Sequence, residues 1–332
     1  MIRLGILGHS RVAEMAVCRP ARRVDGLEVA AVAGRDAART ADFARRHGIP
    51  RSFASVGELL DADGVDAVYV CLPHHLHART ALEAVAAGKH VLVEKPLALA
   101  AADAAPLPGR RDAAGVVMAE ALMAQHHPWQ GAVRELLRAP EMGPVERVET
   151  RICFPLAEER IARLRPPALG GGAFCDVAPY WLQFLQAVVG LEVLDVEAEG
   201  SFTGPAGADL ACDARLALAG GVAASLHAGY LDAYAATHTV RCAGGTLTVQ
   251  DFLRPVLGDY QVRIVVEAQG GPGPQVHGVA GGGFYDNQLR AFLDLVAGGG
   301  AGPDPLAPAL ERVAVMERAY RQACAAAGVD GP

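Results

Sequence analysis

The sequence predicts an α/β protein, a doubly wound parallel sheet in the N-terminal part followed by an α+β part with an open, mainly antiparallel sheet. Three observations lead there. Over roughly the first 120 residues, short apolar runs alternate with helix-like runs, the pattern of parallel strands joined by crossover helices. After about Met123 the pattern becomes a series of alternating strands separated by Gly-rich turns, which favours antiparallel neighbours. The 332 residues also exceed what one core usually serves, so two domains are expected, residues 1–122 and 123–332.

Element by element, "IRLGILG" is the first strand and residues from Arg11 to Arg19 its helix. "LEVAAVAG" leads into a helix from Ala37 to His47, and "DAVYVCLP" into one from His75 to Ala87. "HVLVEKP" and "GVVMAE" supply further strands. Between Leu97 and Ala114, Pro106, Pro108 and Gly109 make the intervening helix short or kinked. Beyond Met123 the strands are "VERVETRICF", "LEVLDVEAEG", "DARLALAGG", "VAASLHAGY", "THTVRCAGG" and "TLTVQDF". "AQGGPGPQVHGVAGGG" is too rich in Gly and Pro for a regular element and is expected as a surface loop. Two helices close the chain, from Phe284 to Val296 and from Leu306 to Ala327.

Composition excludes several classes. Apolar residues make up 52% and charged residues 20%, as in globular soluble proteins. The net charge of -7 is spread along the chain with both signs mixed, which argues against nucleic acid as a partner because phosphate binding needs a basic face. The seven cysteines are an odd number with no CxxC pair, which suits reduced thiols in a cytoplasm. "MIRLGILGHS" has no leader character, and no apolar run reaches about eighteen residues, so neither export nor a membrane partner is expected.

Four stretches carry candidate chemistry. In "GILGHSRVA", Gly8, Ser10 and Ala13 occupy the GxGxxG/A positions with serine in the middle. Placed after a first strand and before a helix, this is a turn that lets backbone approach a pyrophosphate. In "AVAGRDAA", the second strand ends where a dinucleotide fold meets the adenosine ribose. Arg35 there argues for NADP, whereas an inward Asp36 would select NAD. The cluster His74, His75 and His77 follows Pro73, at the carboxyl edge of the sheet, where loop packing or cofactor contact is expected; it lacks the facing ligands of a metal site, and no metal is expected. Lys95 ends the "HVLV" run, so it projects into the cleft where open parallel sheets bind ligands. In "ALGGGAFCDVAPYWLQF", Asp176 and Tyr180 are four apart, on one face of a helix starting near Asp176. Pro179 then requires that this be the first turn.

Together, "GILGHSRVA", "VAGRD", "LPHHLHARTALEAVAAGKHVLVEKPLAL", "ALGGGAFCDVAPY", "GGTLTVQDFLRP" and "FYDNQLRAF" resemble the Gfo/Idh/MocA family of NAD(P)-dependent oxidoreductases across essentially the whole chain. The pattern GGGxxxDVxxY is similar to the dihydrodiol dehydrogenase and xylose dehydrogenase branch. The resemblance implies a Rossmann domain and a hydride transfer between NADP, with NAD as the alternative, and a secondary alcohol or ketone of a sugar, polyol or related small molecule. It implies that Lys95, Asp176 and Tyr180 meet near the nicotinamide. Cofactor-binding candidates are Gly8, His9, Ser10, Arg11, Val12, Gly34, Arg35, Leu72, Pro73, His74, His77, Glu94 and Lys95. A phenol titrates near pH 10 and a neighbouring ammonium favours its ionised form, so Tyr180 exchanges the proton, Lys95 tunes it, and Asp176 orients the lysine or a second hydroxyl. Lys95 as the proton donor is the alternative. Reduction of a C=N or conjugated C=C bond, or cofactor sensing without turnover, are the rival functions. The resemblance further implies a homodimer or homotetramer built through the C-terminal sheet. Ser10, Gly34 and Ala178-Pro179 depart from the family's usual residues.

Overall fold

Six parallel strands form the first sheet: β1 (Ile2–Leu7), β2 (Leu27–Ala33), β3 (Arg51–Phe53), β4 (Ala67–Val70), β5 (His90–Glu94) and β6 (Met118–Ala121). Their spatial order is β3-β2-β1-β4-β5-β6, so the order reverses between β1 and β4. The computed structural model describes residues 1–300 and 302–332. Two units emerge from it: residues 1–123 with 285–310, and residues 124–284 with 311–332. Strand β4 is buried at every position, as expected for parallel strands covered on both faces. Leu4, Ile6, Val32, Tyr69 and Leu92 share a core with Leu289 and Phe292, which come from the helix Phe284–Ala297. Arg23 pairs with Asp286 at 2.7 Å on the same helix.

Local differences from expectation have identifiable causes. The segment after β1 is α-helical only over Arg11–Ala13 and then widens into a π-helical turn over Glu14–Cys18, the Arg19 N–H reaching back to the Glu14 carbonyl at 3.1 Å. Pro20 follows and cannot donate a backbone hydrogen bond. Strand β3 has three residues, too few to show a period. The proline-bearing stretch is two short helices, Ala101–Ala104 and Leu107–Ala114.

The second sheet contains β7 (Val145–Cys153), β8 (Val193–Ser201), β9 (Ala211–Leu218), β10 (Ala223–Gly229), β11 (Ala235–Cys242), β12 (Gly245–Gln250), β13 (Val262–Ala268) and β14 (Gln275–Val279). Its order is β14-β13-β12-β11-β7-β10-β9-β8. All pairings are antiparallel except β7 with β10. Side chains alternate: Val148, Thr150 and Ile152 of β7 are buried, while Glu149 and Arg151 are on the other face. The helix Ala173–Val188 packs on β7, β9 and β10. Beneath it Trp129, Phe184, His238 and Phe252 stack, with Phe184 and His238 centroids 3.9 Å apart. Burial holds the His238 imidazole well below its usual pKa, and Thr150 Oγ1 meets its Nδ1 at 2.8 Å. Gln130 and Gln183 exchange two amide hydrogen bonds, at 2.6 and 2.9 Å, between helices.

One expected loop is a strand. Residues Gln275–Val279 lie inside the Gly- and Pro-rich stretch yet pair with β13, because an edge strand needs partners on one side only and the backbone groups of β13 supply them. Among the described residues, no helix is long and apolar enough to cross a membrane.

Phe292→Ala is expected to lower stability by about 3–5 kcal/mol, because it empties a packed site, whereas Arg23→Ala, which breaks a half-exposed pair, costs under about 1 kcal/mol. Urea unfolding followed by circular dichroism distinguishes the two.

Candidate active site

At the carboxyl ends of β1 and β4 the chain makes the turn that the glycine motif specified. Gly8 has φ +104°, and a Cβ there would lie 2.7 Å from the Cys71 carbonyl oxygen, so only glycine fits. Ser10, in the motif's middle position, has φ -83° and caps the following helix, its Oγ accepting the Ala13 N–H at 3.2 Å. Arg11 and Val12 follow, both exposed. At the end of β2, a Cβ on Gly34 would meet the His9 ring at 2.4 Å and Thr40 Oγ1 at 2.7 Å. His9 therefore fills the space a side chain at 34 would need. Asp36 caps the helix Ala37–His47 through the Arg39 N–H at 3.0 Å, so its carboxylate is engaged locally. Arg35, beside it, is exposed.

The Lys95 turn is built from inside the same unit. Every residue from Val91 to Leu99 is buried except Lys95. Glu94 is buried, and its carboxylate accepts the Tyr69 hydroxyl on one oxygen and the Lys95 N–H at 3.2 Å on the other. Burial, with the Glu94 charge adding to it, keeps the Tyr69 phenol far above its usual pKa and hence protonated. The Lys95–Pro96 peptide bond is cis. His77 is fully buried, with Nδ1 2.8 Å from the Pro96 carbonyl and Nε2 2.7 Å from the Leu72 carbonyl. Burial outweighs the two carbonyls and holds its pKa below the usual value, so the neutral ring donates to one carbonyl and packs against the other. It joins the Leu72-Pro73 segment to the lysine turn, and His74 lies half-buried on the short helical turn before it. The Leu97 N–H is taken by Glu120 at 2.8 Å.

In the second unit, the helix Ala173–Val188 begins three residues before Asp176, which corrects the expected start. The cap comes from elsewhere in the chain. Asp209, fully buried, accepts the Phe174 N–H on Oδ2 at 2.8 Å and the Ala173 N–H on its own carbonyl at 3.0 Å. Tyr320 donates to Asp209 Oδ1 and lies 2.9 Å from the Gly171 carbonyl. A Cβ on Gly172 would fall 1.7 Å from Asp209 Oδ1, and one on Gly171 1.7 Å from the Arg165 carbonyl; the glycine run clears room for the cap. Pro179 is therefore inside the helix, not in its first turn. The lost backbone bond, worth about 3 kcal/mol, is offset by twelve buried residues along the helix. Asp176 is the only residue from 171 to 180 that is not buried, and its Oδ2 accepts the Tyr230 hydroxyl at 3.2 Å. Tyr180, one turn on, is 8% exposed.

Residues 2–120 match the family described as "Oxidoreductase family, NAD-binding Rossmann fold", and residues 131–248 match the GFO/IDH/MocA C-terminal domain. A dTDP-3,4-didehydro-2,6-dideoxy-α-D-glucose 3-reductase of Streptomyces violaceoruber is 31% identical over 321 residues, 96% of this chain and 92% of that one. The chain belongs to the GFO/IDH/MocA oxidoreductase family. This GFO/IDH/MocA member is an NAD(P)-dependent oxidoreductase whose first unit carries the dinucleotide-binding sheet. A NADP-dependent D-xylose 1-dehydrogenase of Haloferax volcanii is 38% identical over 176 residues, 53% of this chain and 54% of that one, in line with the branch the glycine-aspartate-tyrosine pattern suggested. A 3-ketoreductase from Actinomadura kijaniata, solved with NADP and TDP-benzene, has the same fold at TM-score 0.89 and 26% identity over 97% of both chains.

Sequence reasoning missed the residues that hold this oxidoreductase's candidate site in shape. Asp209, Tyr320, Tyr230 and Tyr69 lie far in sequence from the groups they fix. Among them only the triple glycine gave a signal, since a run of glycines implies something packed close to backbone.

Burial raises the Asp209 pKa to about 6. A carboxyl raised in the folded state stabilises fully below its unfolded value, near 4, and that contribution is lost as pH rises through about 6. Relative to Asp209→Asn, the wild-type protein is expected to lose stability, by up to about 3 kcal/mol, between pH 4 and 6. Chemical unfolding of both proteins across that range measures it; parallel pH profiles would contradict the assignment.

Proposed function

We propose that this oxidoreductase uses NADP to interconvert a secondary alcohol and a ketone on a sugar, polyol or related cyclic molecule, with Lys95, Tyr180 and Asp176 as its catalytic residues. Bound NADP supplies or accepts the hydride at nicotinamide C4. Tyr180 exchanges the proton of the reacting hydroxyl, and Lys95 polarises that oxygen and favours the ionised phenol. Asp176 orients the lysine or a neighbouring substrate hydroxyl. Gly8, His9, Ser10, Arg11 and Val12 would hold the pyrophosphate, Gly34 and Arg35 the adenosine end, and Leu72, Pro73 and His74 the nicotinamide side, with the buried His77 and Glu94 positioning that turn from within instead of touching the cofactor.

The observation that carries this reading is the lysine turn: Lys95 alone stays partly exposed in a run whose other members, 91–94 and 96–99, are buried. A sequence that only needed a surface turn has no reason to bury Glu94 and anchor it on Tyr69. NADP over NAD is supported by Asp36, whose carboxylate caps its own helix, leaving Arg35 as the charge at the end of β2. Sugar substrates are supported by the activities of the xylose dehydrogenase and the dTDP-sugar reductase.

A second copy of the chain is proposed to cover the exposed face of the eight-stranded sheet, giving a homodimer or homotetramer. That face carries interleaved charges of both signs, Glu149 with Arg241 at 2.6 Å and Arg215 near Glu199, a pattern a two-fold axis can make self-complementary. The seven cysteines are free and buried, which suits a cytoplasmic setting.

Lys95→Ala and Tyr180→Phe are expected to reduce kcat by about a hundredfold to ten-thousandfold while NADPH still binds. Turnover on a panel of ketosugars and aldoses, with NADPH fluorescence titration alongside, checks both; full turnover in either variant sinks the proposed roles. Arg35→Ala is expected to weaken NADPH binding by about tenfold or more and to leave NADH nearly unchanged, as read by titration with each cofactor.

A further inference from the structure

Away from these residues, three donor atoms of different chemistry converge on the open face of the eight-stranded sheet. Cys153 ends β7, His227 lies on β10, and Asp232 follows β10; one ligand atom from each lies within 4.8 Å of the others. Asp232 Oδ2 is 2.9 Å from His227 Nε2 and 3.8 Å from Cys153 Sγ. On its far side, His227 Nδ1 meets Asp213 Oδ1 of β9 at 2.8 Å. Both ring nitrogens thus face carboxylates and donate to them; once the Nε2 proton leaves, the Asp213 carboxylate on Nδ1 holds the ring with its Nε2 lone pair toward the cluster, the outer-sphere arrangement of metal-bound histidines.

Two further observations keep the point open. Gly229 lies under the cluster, where a Cβ would fall 2.3 Å from Asp232 Oδ2 and 3.5 Å from Cys153 Sγ. Any other residue would displace the carboxylate. Beside the cluster opens a cavity of about 310 Å³ lined by Arg151, Asp213, His227, Ser225 and Thr237, room for an ion to enter with its water. Arg151 approaches the other Asp232 oxygen, Oδ1, at 3.3 Å, which leaves Oδ2 for the cluster.

We propose that Cys153, His227 and Asp232 bind a divalent transition metal of the zinc class, with Asp213 as the outer partner of His227 and water completing the shell. Thiolate, imidazole and carboxylate together suit zinc and disfavour magnesium or calcium, which prefer oxygen alone. Binding releases the Cys153 thiol proton and the His227 Nε2 proton to solvent, and the charges of thiolate and carboxylate balance those of the ion. The site shares no residue with Lys95, Asp176 and Tyr180, so zinc retention and turnover are read separately.

The test uses the full-length protein, equilibrated with Zn²⁺ at micromolar free concentration, desalted and measured by elemental mass spectrometry, and in parallel titrated with Co²⁺. The expected result is about one zinc per chain and a near-ultraviolet thiolate-to-cobalt band. Cys153→Ser removes the band, and Asp213→Asn weakens zinc binding by about tenfold to a hundredfold. His227→Gln, at a half-exposed position, loses the zinc and serves should the cysteine variant fail to fold. A wild-type protein that retains no zinc, or a Cys153→Ser or His227→Gln protein that retains as much as wild type, overturns the site and leaves His227 as an imidazolium shared by Asp213 and Asp232.

Discussion

A single buried carboxylate, Asp209, sets where the helix Ala173–Val188 begins, and what that helix carries follows from its register. Had the helix begun at Asp176, that carboxylate would sit at the cap and be engaged by the amides two and three residues on. With Asp209 taking the Phe174 N–H, Asp176 becomes the fourth helical residue and its carboxylate meets the Tyr230 hydroxyl instead. Tyr180 then lies one turn beyond on the same face. Burying Asp209 is costly, as its raised pKa records, and the cost is met at the carboxylate by the Phe174 amide and the Tyr320 hydroxyl. The triple glycine belongs to this arrangement, since any side chain at 172 would occupy the carboxylate's place.

The first unit solves the matching problem by a different route. Glu94 and Lys95 are adjacent and opposite in charge, yet the glutamate side chain is directed inward, to the Tyr69 hydroxyl and the Lys95 backbone N–H. His77 is wedged between the Pro96 and Leu72 carbonyls, donating to one of them, and Glu120 takes the next amide, that of Leu97. The backbone on both sides of Lys95 is thereby fixed by groups in the core. A charge held on such a rigid stem loses little entropy when it meets a ligand.

Much of this is legible in the sequence where local patterns decide structure. Five strands of the first sheet, the glycine turn after β1, the helix over Ala37–His47 and the two closing helices follow from period, caps and glycine placement alone, whereas the three-residue β3 does not. What stays hidden depends on partners distant in sequence. Asp209 lies in "GADLACD", which has no cap signature of its own, so the helix start is misplaced by sequence and Pro179 with it. Strand β14 hides in a Gly-rich stretch because its order comes from the edge of β13. In sequence His77 is one member of a histidine cluster that could pack its loop or meet cofactor, and its two carbonyl neighbours decide for packing between two loops.

The departures from the family's motif are local compensations rather than losses. Serine replaces the middle glycine without backbone strain because φ at Ser10 is -83°, and its hydroxyl adds a cap that glycine lacks. Gly34 and His9 form a matched pair: a serine at 34 would place its Cβ 2.4 Å from the imidazole, so the His9 ring holds this position only with glycine opposite. Removing the side chain at 34 also removes a hydroxyl from the end of β2. In the proposed reading, recognition of the adenosine ribose then falls to charge, with Arg35 exposed beside an Asp36 already committed to the Arg39 amide. In that reading a cation beside a carboxylate engaged by its own helix favours the more anionic of two otherwise similar ligands, and this charge has to make up for the phosphate-facing hydroxyl that glycine at 34 lacks.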